Sequence, residues 1–115
     1  MKFIAYMRCS TCVKALKYLN ENNVNPEVID IKTNIPTKEE LKQYHELSGL
    51  DIKKFFNTSG LVYKELNLKD KLPTMSLEEK YELLSTNGML IKRPLLISTN
   101  SVLLGFKEEE YKKIV

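Results

Sequence analysis

The sequence predicts an α/β fold, a four-stranded mixed sheet carrying helices and interrupted by a helical insertion. Three observations lead there. An apolar run at Phe3–Met7, a helical pattern from near Ser10 and a second strand-like run ending at Ile31 make a strand–helix–strand unit of about thirty residues. Residues 36–90 read as helices throughout, with two capping boxes. Leu95-Leu96-Ile97 and Val102-Leu103-Leu104 then flank Thr99-Asn100 as a hairpin signal.

At 115 residues the chain is long enough for one real core and too short for two. The expected division is a single domain, 1–115, with its core in 1–35 and 91–115 and its insertion in 36–90. In order, the first strand hands over to a helix over Val13-Lys14-Ala15-Leu16-Lys17-Tyr18-Leu19, which breaks at Glu21-Asn22-Asn23. Val24 to Ile31 is the second strand. A strand–helix–strand crossover is right-handed in about 98% of cases and makes the two strands parallel. After Pro36, Thr37 caps a helix and Glu40 reaches back, with Leu41, Tyr44 and Leu47 as its apolar side and Ser48-Gly49 as its end.

The short segment Asp51 to Phe56 stops at Asn57-Thr58-Ser59-Gly60, and Tyr63 to Lys69 reads as a short helix with Leu66 and Leu68 inward. Ser76-Leu77-Glu78-Glu79 is the second capping box, followed by Leu77, Tyr81 and Leu84 on one face and by a stop at Gly88. Beyond the hairpin, Lys107 to Ile114 returns to helix, burying Phe106, Tyr111 and Ile114. This order, with a Cys-x-x-Cys at the first strand-to-helix turn, is that of a thioredoxin-like core with an insertion in its middle.

Composition removes several function classes. The net charge is +3, and Lys and Glu alternate without a basic block, so direct nucleic-acid binding is not expected. No apolar run approaches the roughly 20 residues that span a bilayer, and the start is too short in apolar residues for a secretory signal. A cytoplasmic monomer is expected, where a dithiol stays mostly reduced and oxidises only in passing.

The chemistry concentrates in Arg8-Cys9-Ser10-Thr11-Cys12, which holds both cysteines of the chain. One helical turn separates the two thiols, near enough to bond. Cys9 lies at the helix start, where unpaired N–H groups and the positive dipole end favour an anion. Such a position commonly lowers a cysteine pKa to between roughly 3.5 and 7.5, and Arg8 and Lys14 are expected to push the same way. Cys9 is therefore assigned as the attacking thiolate and Cys12 as the resolving thiol. A structural zinc site usually needs four ligands; with His45, the chain offers only three such side chains outside its carboxylates. His45 itself reads as a surface residue.

A second constellation is Lys92-Arg93-Pro94. A thioredoxin-like fold places a cis proline beside its redox pair, which would set Arg93 across from Cys9 to steady a thiolate or bind an oxyanion. Ser10 and Thr11 are candidate anion donors at the helix start, or simple caps. Asn57 belongs to a polar patch that is either a binding feature or a turn.

Cys9-Ser10-Thr11-Cys12, Phe55-Phe56-Asn57-Thr58-Ser59-Gly60, Tyr63-Lys64-Glu65-Leu66, the run Gly88 to Pro94 and Gly105-Phe106-Lys107-Glu108 together resemble the arsenate reductase-like family. That family includes glutaredoxin-coupled arsenate reductases, their relatives and the Spx regulators. The resemblance spans essentially the whole chain and implies a thioredoxin-like fold with a helical insertion. It implies a catalytic cysteine at Cys9; in the glutaredoxin-coupled reductases the position of Cys12 is normally serine, whereas the Spx proteins share the Cys-x-x-Cys. Of three oxyanion-binding arginines in those enzymes one matches Arg93, while the others fall on Asn57 and Phe106. Two missing cations imply weakened arsenate binding, since a charge-assisted hydrogen bond contributes about 1.5–3 kcal/mol. The substrate site implied is then Ser10, Thr11, Asn57 and Pro94 around Cys9, Cys12 and Arg93. No bound cofactor is implied; glutathione, glutaredoxin or thioredoxin would serve as reductant. The Spx alternative implies a redox sensor that binds the C-terminal domain of the RNA polymerase α subunit.

Overall fold

A computed structural model describes all residues, 1–115. The sheet contains β1 (Lys2–Ala5), β2 (Glu27–Asp30), β3 (Leu95–Ile97) and β4 (Val102–Leu104) in the order β2-β1-β3-β4. β1 pairs parallel with β2 and antiparallel with β3, which pairs antiparallel with β4, so the sheet is mixed as predicted. α1 (Ser10–Glu21) is the crossover between β1 and β2.

Strand residues alternate faces. Phe3, Ala5 and Leu96 point to the side of α1 and α6 (Glu108–Tyr111), joining Cys12, Ala15, Leu19 and Tyr111 in a cluster of 7 buried residues. Ile4, Leu95, Ile97, Val102 and Leu104 point the other way, into an 18-residue cluster completed by the insertion. The larger core is thus shared between residues 36–90 and one face of the sheet, and the smaller one comes from the two ends of the chain.

The insertion contains α2 (Lys38–Ser48), α3 (Leu61–Glu65), α4 (Leu68–Lys71) and α5 (Leu77–Ser85), with α2 packed on α5 and β4. Both capping boxes form. Thr37 Oγ1 accepts the Glu40 N–H at 3.1 Å while Glu40 Oε1 accepts that of Thr37 at 3.0 Å. Ser76 and Glu79 repeat the exchange at 3.1 and 2.8 Å. Gly49 ends α2 in the left-handed region at φ 67°, where a side chain would be strained.

Several sequence expectations are corrected. The Tyr63–Lys69 segment is two short helices, not one; Leu68 is buried but Leu66 is exposed. Leu47 and Leu77 are also exposed, because each lies at an end of its helix, beyond the stripe formed by Leu41 and Tyr44 or by Tyr81 and Leu84. Gly88 does not stop α5, which ends at Ser85 with Thr86 as its C-cap; it opens a 3₁₀ turn, Gly88–Leu90. Its role is closeness: a Cβ there would sit 2.2 Å from the Ile31 carbonyl oxygen.

His45 is not a surface residue. It is half-buried between α2 and α5, edge-on to Phe55 and Tyr81. Its Nε2 lies 2.8 Å from the Leu50 carbonyl oxygen and its Nδ1 2.6 Å from the Tyr81 hydroxyl. A carbonyl only accepts, so in the neutral ring Nε2 carries the proton and Nδ1 receives the tyrosine's. No helix is long and apolar enough to cross a membrane.

Candidate functional site: the Cys9–Cys12 pair

β1 ends at Ala5, the chain turns through Tyr6–Arg8, and Cys9 is the N-cap of α1 with extended backbone (φ −84°, ψ 122°). The turn is tied by the Cys9 N–H to the Tyr6 carbonyl at 2.9 Å, and the helix opens with Val13 N–H to Cys9 O at 3.1 Å. The Cys9 side chain is half-exposed, whereas Cys12 is fully buried against the sheet; both thiols are free.

Partial burial raises the pKa of Cys9, but opposing influences outweigh it and leave it below the ordinary thiol value. These are the N–H groups of Cys12 and Thr11, then the Cys12 thiol, then the charge of Arg93. The sulfur closes no full cap hydrogen bond; the amides act on it as aligned dipoles at the helix head. Arg8 and Lys14 are exposed and do not contribute, which corrects that part of the sequence reading. For Cys12 burial wins, and the nearby Cys9 sulfur adds to it, so its pKa is pushed up to about 11. One turn of helix therefore separates a thiol inclined to ionise from one that resists it.

Arg93 stands just before β3, its peptide to Pro94 is cis, and its charge reaches both cysteines. Its guanidinium lies over the Tyr6 ring at 5.6 Å, with Nη1 a long 3.5 Å from the Ile91 carbonyl and a buried Nε without a partner. Pro94 is buried, and its carbonyl accepts the Gly105 N–H at 2.9 Å.

The remaining candidates are placed less centrally. Ser10 and Thr11 are exposed in the first turn and their hydroxyls make no hydrogen bond; the cap is Cys9 itself, so neither is the capping residue that one sequence reading made it. Asn57 is engaged in its own turn. Its Nδ2 donates to the Met89 carbonyl at 3.4 Å, its Oδ1 accepts from Ser59 at 3.3 Å, and its backbone joins the Phe56–Ile91 bridge. None of these bonds reaches the cysteines. A surface hollow of about 690 Å³ lies between β2 and α2 and includes neither cysteine nor Arg93.

Two residues of this end of the sheet escaped the sequence reading. Tyr6 carries Arg93 on its ring, and Lys32, just past β2, brings its ammonium to 6.0 Å from the same ring. Tyr111 also passed as mere core, yet it lies against Cys12 and donates to the Gly105 carbonyl at 3.3 Å. Only the parallel β1–β2 pairing, followed to its carboxyl end, would have brought Lys32 into view.

Comparison with known proteins agrees with this architecture. A crystal structure of an ArsC family related protein from Bacteroides fragilis superposes with a TM-score of 0.96 at 55% identity, covering 99% of this chain and 96% of that one. A possible arsenate reductase from Streptococcus mutans UA159 gives 0.88 at 43% identity, covering 96% of each chain. Among relatives by sequence, the uncharacterized protein YusI of Bacillus subtilis is 51% identical over 98% of this chain and 96% of its own length. Global transcriptional regulator Spx 2 of Bacillus anthracis is 27% identical over 93% and 80%. The pattern of the ArsC family itself matches residues 5–114, and with this fold and this cysteine-bearing turn the chain belongs to the ArsC family.

Proposed function

We propose that the protein is a thiol–disulfide oxidoreductase working through Cys9 and Cys12. The observation that carries the reading is the contrast within the pair: a half-exposed thiol at a helix head with its pKa lowered, one turn from a buried thiol held at about 11. The Cys9 thiolate attacks one sulfur of a substrate disulfide, forming a mixed disulfide and expelling the other half as a thiolate. Cys12 then attacks the Cys9 sulfur, closes the internal disulfide and releases the remaining half, which takes up the proton that Cys12 gives up. Two electrons pass to the substrate, and an external thiol, glutathione, glutaredoxin or thioredoxin, returns them.

The timing follows from electrostatics. Burial holds the Cys12 proton on, helped by the Cys9 sulfur. Once Cys9 is tied up in a mixed disulfide its charge is gone, and Cys12 ionises more readily when it is needed. Arg93 steadies the thiolates at both steps. Arsenate reduction would be slow on this reading, since Asn57 is held in a turn and Phe106 is apolar where the reductases carry cations.

In a disulfide reduction assay Cys9→Ser abolishes turnover, and Cys12→Ser accumulates a mixed disulfide with substrate visible by mass spectrometry. Equal residual activity in the two variants sinks the reading. A second reading, a redox-sensing regulator that contacts the C-terminal domain of the RNA polymerase α subunit, draws on the Spx relative that aligns over 93% of the chain. Pull-down of that domain with reduced and oxidised protein decides it; no capture in either state removes it.

A further inference from the structure

We infer that a lysine-rimmed groove on the helical insertion docks an acidic peptide segment of a partner protein, which anchors one apolar side chain in it. This goes beyond the redox reading and does not rest on it, because the groove includes neither cysteine nor Arg93. Its deep end is a cavity of about 150 Å³. Ile52 and Phe56, which bound a short 3₁₀ turn, supply apolar wall together with Tyr63 of α3 and Leu72 after α4, and all four are buried. Phe56 and Tyr63 meet edge-on with ring centres 6.4 Å apart, which holds that wall in place. Drug-sized ligands occupy roughly 300–1,000 Å³, so this end has room for one side chain and not for a whole small molecule.

Lys53, Lys69 and Lys80 stand round the cavity, each from a different element. A shallower hollow of about 430 Å³ continues from it, sharing Asp51, Lys53 and Phe56 and adding Lys54 and Lys92. None of these five lysines is within ion-pair distance of a carboxylate; the ion pairs of the chain are Lys17–Glu21 and Lys38–Glu78. Asp51 is the only acid that lines either part, and its carboxylate accepts the Lys53 N–H at 2.9 Å as the cap of the turn. Five lysines exceed the net charge of +3, so the fold gathers the positive excess of the chain here although the sequence has no basic block.

Charge fixes the sign of the occupant and the cavity fixes its kind. Two copies of this chain meeting through the groove would set lysines against lysines, since a two-fold interface uses one patch twice. A single-stranded nucleic acid would match the charge, but its bases stack on aromatic faces, and Phe56 and Tyr63 are only 2% and 6% exposed. A segment rich in Asp and Glu around one Phe or Leu meets both conditions. The anchor fills the cavity, and the carboxylates face ammonium groups that act as mobile point charges.

The test titrates isotope-labelled protein with an acetylated and amidated heptapeptide of Asp and Glu around a central Phe, following backbone amides by NMR. Shifts are expected at Ile52, Lys53, Tyr63 and Lys80. Affinity should fall about tenfold in the combined variant Lys53→Gln, Lys69→Gln, Lys80→Gln, the summed effect of three exposed charge pairs. It should fall by about the same factor when the central Phe of the peptide becomes Gly, through loss of a buried ring. Lys14→Gln, Lys112→Gln, Lys113→Gln removes the same charge from outside the groove and should leave affinity within about twofold. None of the replaced lysines is buried, so both variants keep the fold. Absence of binding, shifts confined to other residues, an equal loss in the two lysine variants or indifference to the Phe each overturns the docking groove. An oligothymidylate that shifts the same amides and binds more tightly than the peptide overturns the peptide in favour of nucleic acid. Self-association that broadens those amides before peptide is added assigns the face to a second copy and overturns it as well.

Discussion

A free cysteine ordinarily titrates near 8.5, and the two thiols here depart from that value in opposite directions. Cys9 has the helix-head amides and Arg93 to outweigh its partial burial, while for Cys12 deeper burial, reinforced by the Cys9 sulfur, outweighs the Tyr6 backbone and Arg93. Alkylation by iodoacetamide, followed site by site against pH, should reach half its maximum for Cys9 below the ordinary thiol range. Cys12 should stay silent until the pH approaches about 11. Arg93→Met should move the Cys9 midpoint upward, since it removes the only side-chain cation acting on that sulfur. Stability follows with a definite sign. A folded-state pKa raised from 9.0 to about 11 means that the unfolded chain releases its Cys12 proton first, so stability is full below 9.0 and declines towards 11. Denaturant midpoints of the reduced protein should fall across that window, and more shallowly in Cys12→Ala.

At the scale of elements the insertion is held by local devices at its helix starts and by contacts between distant residues at its seams. Thr37→Ala or Ser76→Ala should each cost about 1 kcal/mol in urea unfolding, the usual effect of losing an N-cap. Gly88→Ala should cost about 1–3 kcal/mol or more, because its methyl group would meet the Ile31 carbonyl oxygen at 2.2 Å and that oxygen belongs to backbone. The difference between these sites is also the difference in what the sequence discloses. A capping box is written in four adjacent letters, and so is a hairpin flanked by Leu-Leu-Ile and Val-Leu-Leu; both were legible. The His45–Tyr81 bond joins residues 36 positions apart, and the Gly88–Ile31 approach joins two segments that meet only when the sheet is assembled. Periodicity overestimates the buried face where a helix end projects past its neighbours, as at Leu47, Leu66 and Leu77. Of the candidate site, the neighbourhood of Cys9, Cys12 and Arg93 was legible from motif and order.

Across the whole molecule the sheet divides the interior unequally, with 18 buried residues on the insertion side and 7 on the side of the cysteines. The smaller layer depends on α6, where Tyr111 is fully buried, stacks edge-on with Phe106 at 4.8 Å and sits beside Cys12. Tyr111→Ala should cost about 3–5 kcal/mol, the range for deleting a large buried aromatic. It should also open Cys12 to alkylation under native conditions, a change that thermal melting would not register and a thiol count would. The insertion side should hold its fold when this layer is loosened, because its cluster is built from other residues.

The unequal access of the two sulfurs has a kinetic corollary. Only the Cys9 sulfur faces outward, so on the proposed thiol–disulfide reading the oxidant and the reductant of the pair would both come through one doorway. The two visitors cannot be present together, and turnover would proceed by alternation, with double-reciprocal plots of parallel lines and each partner inhibiting the other at high concentration.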